Sequence, residues 1–258
     1  MKSFGRIAIA LMCCIISTAC FAQPIKLKTP RGAQLDVIAE FPAGDGPFAT
    51  VILAPGQGYH MGLPAMEQTA KEMVVQRIAV YRFNWAYFSN DAKSGQPAKD
   101  YVAEIEDMTA VLNKARNDPR VVKDKIAVAG KSLGSLVAWQ ILAKNKDIKG
   151  GLFLTPVCSE IQSGSAIASS IAAENYRNIG NEKRPLAFIA GEADPLCVAP
   201  VLYQYVSQAG GPTRISIVGG NHGFAHPKLT GALGDEVMKS NVKIVALLAA
   251  DFVAELMR

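Results

Sequence analysis

The strongest constraint on the fold of this chain is an alternation of short apolar runs with longer segments whose apolar residues recur every three or four positions. The short runs are rich in Val, Ile and Phe, which is typical of strands covered on both faces. This alternation predicts an α/β fold with a mostly parallel central sheet and helices on both faces. The predicted strands cover residues 35–40, 50–54, 79–83, 125–129, 151–154, 186–190 and 214–218.

Three of the longer segments carry apolar stripes at helical spacing. We interpret the stripes as packing faces without a ligand role, because packing is the commoner use of such a face. The chain of 258 residues is 50% hydrophobic and has no internal repeat or dividing linker, so a single domain is expected. The stripes are Ile105, Met108, Leu112 and Ala115; Leu133, Leu136, Val137, Gln140 and Ile141; and, in a C-terminal helix from Asp235, Val242, Val245, Leu248, Phe252 and Leu256.

The N-terminal segment has the layout of a secretory signal peptide. Lys2 and Arg6 precede an uncharged stretch over residues 7–16, and small residues then lead to a predicted cleavage site after Ala22. The apolar stretch is shorter than the roughly 20 residues that cross a bilayer, so no stable membrane span is expected. We therefore predict an exported protein, either periplasmic or secreted.

This interpretation divides the chain into a signal peptide over residues 1–22 and one domain over residues 23–258. An alternative is cleavage before Cys20, with lipid attached to that cysteine. Ser17 argues against lipid attachment, because it stands where lipoprotein signals usually carry Leu.

The charge of the chain points away from nucleic acid as a partner. The formal net charge is +5, and removal of Lys2 and Arg6 with the signal lowers it by two. No basic run or interleaved aromatic stripe accompanies this mild surplus. A small-molecule substrate is the expected partner, and the oligomeric state stays open.

Two cysteines, Cys158 and Cys197, remain after the signal. Each follows a predicted strand by a few residues, and an oxidising compartment would allow them to form a disulfide. Two buried free thiols are the alternative, since Cys is among the most buried residue types.

The pattern Gly130-Lys131-Ser132-Leu133-Gly134 follows a predicted strand and precedes a helical stripe. A GxSxG sequence in this context predicts a sharp strand-to-helix turn, the nucleophile elbow, that exposes the hydroxyl of Ser132. Glycines flank the serine because side chains there would collide with the neighbouring strand and helix. The backbone N–H of Leu133 would then face an oxyanion. The alternative is that Ser132 only caps the helix.

A serine nucleophile needs a base and a carboxylate that orients the base. His222 follows the predicted strand 214–218, and Asp194 follows the predicted strand 186–190, so both are expected at the edge where Ser132 emerges. Glu192 is the rival carboxylate, but Asp194 lies farther into its loop. Local roles as a turn histidine or a turn-capping aspartate are the alternatives. The other two histidines, His60 and His226, lack this combination of position and flanking glycines and are expected to be secondary.

A second oxyanion donor is expected from the Gly-rich turn after an early strand, in Pro55-Gly56-Gln57-Gly58-Tyr59. The N–H of Gln57 is the first candidate and that of Gly58 the second. Substrate selection is expected in two segments outside the sheet, 86–99 and 159–184. Candidate substrate-lining aromatics are Tyr59, Trp85, Tyr87 and Phe88.

Together these motifs, in the order Ser132, Asp194, His222, resemble the α/β-hydrolase superfamily, and within it the small cap-less branch that includes dienelactone hydrolases and related GKSxG-bearing hydrolases. The resemblance implies an α/β-hydrolase fold, no cofactor and no metal. The roughly 30 residues between Thr155 and Pro185 are too few for a large lid in addition to a helix.

One departure from the family is that Pro55-Gly56 stands where many members have His-Gly, which leaves the second oxyanion donor open. The expected function is hydrolysis of a carboxylic ester through a Ser-Asp-His triad and an acyl-enzyme. A serine peptidase or amidase of the same fold and a non-catalytic exported binding protein are the alternatives.

Overall fold

The structure, a computed structural model, describes residues 22–161 and 168–258. Eight strands form one sheet, and two short strands form a separate hairpin. In chain order the strands are β1 (Ala22–Lys28), β2 (Gln34–Glu40), β3 (Phe48–Ala54), β4 (Ala79–Phe83), β5 (Val121–Lys131), β6 (Gly151–Leu154), β7 (Ser159–Ile161), β8 (Ala168–Ser170), β9 (Leu186–Gly191) and β10 (Thr213–Val218). The hairpin consists of β7 and β8.

The large sheet is mostly parallel, as predicted. Its spatial order is β1-β2-β4-β3-β5-β6-β9-β10. The neighbouring strands β4, β3, β5, β6, β9 and β10 all run in the same direction. Only β1 and β2 are antiparallel to their neighbours. Strands such as β4, β6 and β9 are buried along their whole length, which explains their continuous apolar sequences.

Helices cover both faces of this sheet. In chain order the helices are α1 (Pro64–Val75), α2 (Ala86–Asn90), α3 (Val102–Arg116), α4 (Leu133–Lys144), α5 (Ala172–Asn175), α6 (Ala199–Val206) and α7 (Gly231–Leu256), with a 3-10 turn at Ile179–Asn181. On one face α1 packs against α7, and Met66, Met73 and Val245 are completely buried between helices and sheet. On the other face α3 and α4 bury Val111 and Val137.

Some bounds differ from the sequence prediction. The prediction missed β1 and the β7–β8 hairpin, and β5 begins at Val121 and not at residue 125. Helix α7 begins at Gly231, and Leu248 is 37% exposed, so its assignment to the core was wrong. The buried stripe passes through Ala249 instead, because residues 242, 245, 249 and 253 share one helical face.

The segment between β6 and β9 contains no large lid in its described residues. It forms the β7–β8 hairpin, the four residues of α5 and the 3-10 turn. Within residues 22–161 and 168–258, no helix is long and apolar enough to cross a membrane. The predicted signal peptide, including Cys20, lies outside the described residues except for Ala22, which begins β1.

Candidate active site

The candidate site lies at the carboxyl edge of the sheet. Ser132 directly follows β5, while Asp194 and His222 lie in the loops that follow β9 and β10. These strands are parallel, so their carboxyl ends meet at one edge. The topology thus explains why residues 62 and 28 positions apart in the sequence approach each other in space.

Ser132 occupies a sharp turn between β5 and α4. Its backbone has φ 52° and ψ −121°, which is unusual for a residue other than glycine, and its N–H donates to the carbonyl of Leu154 (3.0 Å). A Cβ added to Gly130 would lie 2.1 Å from the carbonyl oxygen of Gly134, and one added to Gly134 would lie 2.4 Å from that of Ala54. Both glycines are therefore required sterically. The Ser132 side chain makes no capping hydrogen bond to α4.

A buried hydroxyl chain supports this turn from inside. The Ser135 hydroxyl donates its proton to the carbonyl of Ser132 (2.6 Å). Because a hydroxyl has only one proton, Ser135 must accept in its second hydrogen bond, and the hydroxyl of Tyr176 is the donor (2.7 Å). Tyr176 in turn accepts from the N–H of Val157 (3.0 Å), and burial raises the pKa of its hydroxyl. Neither Ser135 nor Tyr176 was predicted from the sequence to support the site.

Asp194 and His222 form a direct pair. Nδ1 of His222 lies 2.8 Å from Oδ2 and 3.0 Å from Oδ1 of Asp194, and the carboxylate also accepts the N–H of Leu196 (2.9 Å). A carboxylate can only accept, so Nδ1 carries a proton, and in the neutral imidazole Nε2 carries the lone pair. Nε2 has no hydrogen-bond partner within the described residues. It is therefore free to accept a proton, although it makes no bond to Ser132 in this state.

The rival carboxylate, Glu192, takes no part in this pair. Its side chain is exposed, and its backbone N–H donates to the carbonyl of Val218 (2.8 Å), which holds the start of the loop after β9 against β10. His222 instead donates to Asp194, which is only 2% exposed and thereby orients the imidazole.

The loop that carries His222 is tightly folded. Gly220 has φ 104°, and a Cβ added there would lie 2.5 Å from the backbone of Phe224. The side chain of Asn221 accepts the N–H of Gly223 (2.8 Å), and Asn241 of α7 donates to the carbonyl of Phe224 (3.0 Å). Neither asparagine was predicted from the sequence to have a role. Asn221 stands among glycines, and an asparagine in such a segment is typical of a turn that the side chain stabilises by hydrogen bonds to the backbone.

The loop after β3 lies beside the serine. A Cβ added to Gly56 would lie 3.2 Å from Cβ of Ser132, so the backbone of the candidate oxyanion donors runs close to this serine. Gln57 and Gly58 are exposed, and the Gln57 side chain donates to Gln96 (2.9 Å). The N–H of Leu133 belongs to the first turn of α4, where backbone donors have no partner within the helix.

The prediction that Trp85 lines the substrate site was wrong. Trp85 is completely buried, packs against Phe83 at 4.8 Å between ring centroids, and donates its indole N–H to the carbonyl of Pro55 (3.0 Å). It cannot touch a substrate at an open site. Its position instead fixes the start of the loop that carries Gln57.

The remaining candidate aromatics are partly buried. Burial raises the pKa of Tyr87 to about 12, and the backbone N–H of Gly58 opposes this rise. Phe88 packs against the ring of His60 at 5.9 Å. Tyr59 borders a cavity beside His222.

The other two histidines have local structural roles. Nδ1 of His60 accepts the N–H of Gly62, and Nδ1 of His226 accepts the N–H of Lys228, both at 3.2 Å. Among the described residues, no group of three or more His, Cys, Asp or Glu side chains is arranged to hold a metal ion.

The cavity beside His222 has a volume of about 680 Å³. Its walls come from the loop after β3, the start of α1, the histidine loop and the first half of α7. Apart from Tyr59, Asn221 and His222, the residues in the wall are apolar. The lining residues are Tyr59, Leu63, Pro64, Pro195, Asn221, His222, Gly223, Ala225, Met238 and Val242.

A disulfide between Cys158 and Cys197 anchors the loop that carries Asp194. Both cysteines are completely buried, so the alternative of two free thiols was wrong. The backbone N–H groups of Cys158 and Ser159 both donate to the carbonyl of Leu196, at 2.9 and 3.0 Å. The aspartate loop is thereby joined to the segment that follows β6.

Comparisons with known proteins agree with this architecture. A family model described as an alpha/beta hydrolase domain matches residues 47–250. No curated protein matches the chain in sequence.

Several solved structures share the fold at low sequence identity. A dienelactone hydrolase from Anabaena variabilis is 15% identical with a TM-score of 0.68, and the match covers 93% of this chain and 99% of that one. An alpha-beta serine hydrolase homologue from Coxiella burnetii is 18% identical with a TM-score of 0.65, covering 88% and 96%. An esterase from Pyrococcus furiosus is 18% identical with a TM-score of 0.60, covering 88% and 90%. With the family model spanning most of the sheet and both helical layers, the chain belongs to the α/β-hydrolase superfamily.

Proposed function

We propose that this protein is a serine hydrolase that cleaves carboxylic esters. The observation that carries the proposal is the pair of Asp194 and His222. The carboxylate fixes Nδ1 of the imidazole, and Nε2 has no hydrogen-bond partner in the described part of the chain at the sheet edge where Ser132 emerges. This is the arrangement that a weak serine nucleophile needs from its base.

In the proposed reaction the Ser132 hydroxyl attacks the ester carbonyl and passes its proton to Nε2 of His222. The negative charge of Asp194 stabilises the imidazolium that forms. His222 then gives the proton to the departing alcohol, and an acyl-enzyme remains on Ser132. Water attacks the acyl-enzyme by the same route in reverse, which releases the acid and restores the serine.

The oxyanion of each tetrahedral intermediate needs backbone donors beside the serine. The N–H of Leu133 is well placed because it lies in the first turn of α4, where the helix dipole also favours negative charge. The N–H of Gln57 is proposed as the second donor, with that of Gly58 as its alternative. Support comes from the close approach of Gly56 to Cβ of Ser132.

The cavity favours an uncharged substrate with an apolar alcohol group. It borders His222, the residue that protonates the leaving alcohol, and its other walls include Leu63, Met238 and Val242. A charged group there would lose hydration without gaining a partner. The neighbouring structures described as esterase and dienelactone hydrolase favour an ester over an amide as the bond that is cleaved.

Export is also part of the proposal. The sequence before Ala22 has the pattern of a signal peptide, and a buried disulfide fits an oxidising compartment. Mass spectrometry of the protein purified from the outer fractions of its native cells tests this, with Gln23 as the expected first residue. An N-terminal lipid on Cys20 would instead indicate a lipoprotein.

Matched variants test the proposed chemistry. We expect His222→Ala and Asp194→Asn to lower kcat/KM for short-chain aryl esters by at least about 1,000-fold. The controls are His226→Ala and Glu192→Gln, which change a histidine and a carboxylate in the same two loops and should retain activity within about threefold.

The same assay separates the alternatives. Turnover of aminoacyl amides without esters would identify an amidase or peptidase and contradict the ester assignment. If the folded protein turned over neither class and bound such compounds unchanged, it would be a binding protein that retains the hydrolase fold.

A further inference from the structure

The candidate site contains a buried cation that the proposed reaction does not use. Lys131 is the last residue of β5 and immediately precedes Ser132, yet it is only 3% exposed. Lysine is almost never buried unless it is paired. Among the described residues no carboxylate forms a salt bridge with its ammonium group, and the negative charge of Asp194 acts on it only from a distance. Its burial therefore needs another explanation.

The ammonium group of Lys131 joins two loops of the site. Nζ donates to the backbone carbonyl of His222 (2.9 Å) and lies 4.7 Å from the centre of the Tyr59 ring. The first contact reaches the histidine loop, and the second reaches the loop of the candidate oxyanion donors. A cation over an aromatic face is attracted by the ring, and more strongly when both are shielded from water.

We propose that Lys131 is a positioning residue, whose protonated side chain holds the histidine loop against the loop after β3 and thereby keeps His222 in place for the reaction. The inference rests on the proposed function, because it assigns Lys131 a role in the same site. The groups that titrate and face Lys131 come from three loops: Tyr59 after β3, Asp194 after β9 and His222 after β10.

The proposal has a consequence for the pH dependence of the reaction. Burial lowers the pKa of Lys131 to about 8, and the charge of Asp194 opposes this change. As the pH rises through this value the side chain loses its charge. The hydrogen bond to His222 then loses its ionic component and the attraction to the Tyr59 ring disappears. Activity should therefore fall on the alkaline side, near pH 8.

A second lysine on the same strand is a matched control. Nζ of Lys125 also donates to a backbone carbonyl, that of Met257 (2.7 Å), which directly follows α7. Lys125 lies in the middle of β5, six residues before Lys131. Lys125→Met removes the same type of bond without touching the histidine loop. A purely structural role for Lys131 would give the two lysines similar effects on activity.

The kinetic test measures kcat and KM between pH 5 and 10 for the parent, Lys131→Met, Lys131→Gln and Lys125→Met. The Met variant removes both the donor and the charge, and the Gln variant retains a donor. We expect Lys131→Met to lower kcat by about 10- to 100-fold with KM unchanged within about twofold, and Lys131→Gln to recover part of that loss. Neither should retain the alkaline decline near pH 8, and Lys125→Met should behave like the parent. Persistence of that decline in both Lys131 variants would overturn the inference.

A second measurement does not depend on turnover. In protein labelled with ¹³C at lysine Cε, the signal that disappears in Lys131→Met should titrate near pH 8, and the ring signals of His222 should move with it. A midpoint at the ordinary lysine value, with no response of His222, would overturn the inference. If these signals behave as expected while no ester is cleaved, the coupling between the two residues holds and the ester hydrolase assignment fails.

Discussion

At the scale of single residues, three of the six non-glycine residues with positive φ in the described part of the chain lie at the edge of the sheet that carries the candidate site. Ser132, Thr155 and Phe224 all have positive φ, at 52°, 37° and 63°, although none is glycine. They follow β5, β6 and β10, at the same edge of the sheet. Each such conformation costs on the order of 1–3 kcal/mol and persists only where surrounding contacts impose it. For Ser132 those contacts include the hydrogen bonds from Ser135 and to Leu154.

We predict that Lys131 lowers the stability of the folded protein while it supports the activity. Near pH 7, Lys131→Met should raise the free energy of unfolding by about 1–3 kcal/mol, because a methionine is buried without loss of hydrated charge. In the folded parent the lysine has a lowered pKa of about 8, whereas in the unfolded chain it keeps its proton to a higher pH. The unfolded parent therefore binds more protons above pH 8, and the stability of the parent rises with pH.

Urea denaturation at pH 7 and pH 9.5 checks this prediction. The stability advantage of Lys131→Met over the parent should shrink at the higher pH. An advantage that is independent of pH, or a variant less stable than the parent at pH 7, would contradict it. Lys125→Met serves again as the control and should show no such dependence on pH.

Residue positions were predictable where they depend on chain order and on strand ends. That Ser132, Asp194 and His222 meet at one edge of the sheet could be predicted because parallel strands end at one edge. The burial of Trp85 was not readable, since it depends on how the segment after β4 packs under Pro55. The same holds for Tyr176, which reaches Ser135 from a segment 41 residues away.

At the scale of elements, the site depends on loops that are joined to one another. The disulfide connects the segment after β6 to the aspartate loop, and Asn241 of α7 holds the histidine loop. Because these connections tie the loops to the sheet and to a helix, side chains on irregular segments are held in fixed positions.

We predict that Cys158→Ala combined with Cys197→Ala lowers the free energy of unfolding by about 2–4 kcal/mol, because the disulfide restricts an unfolded loop of 39 residues. Activity should also fall, since Asp194 lies three residues from Cys197. Chemical denaturation with and without reductant is the measurement. The reductant should destabilise the parent and leave the double variant unaffected, and equal stability of the parent and the double variant would contradict the prediction.

Elements were predictable where periodicity was strong. The fully buried strands were located to within a few residues, except that β5 begins earlier because the exposed residues Lys123 and Asp124 interrupt the apolar run. Strand β1 was missed although Ile25 and Leu27 alternate with Lys26 and Lys28, the pattern of an edge strand. The hairpin strands β7 and β8 have three residues each, too few for any period to be detected.

At the scale of the whole molecule, the sheet separates two buried layers and the candidate site lies at its edge. The α1–α7 layer contributes walls of the cavity through Leu63, Met238 and Val242, while the α3–α4 layer supports the turn of Ser132. The α/β class followed from the alternation of apolar runs. The cavity could not be predicted, because it forms where the start of α1 and the first half of α7 meet the histidine loop.

The central claim is that Ser132 is the nucleophile of a serine hydrolase. The most direct measurement is labelling of the folded protein with a fluorophosphonate probe, followed by identification of the modified peptide by mass spectrometry. We predict one adduct, on Ser132, that is abolished in Ser132→Ala and retained in Ser207→Ala, which changes an exposed serine outside the site. Equal labelling of the parent and Ser132→Ala, or an adduct on another residue, would contradict the claim.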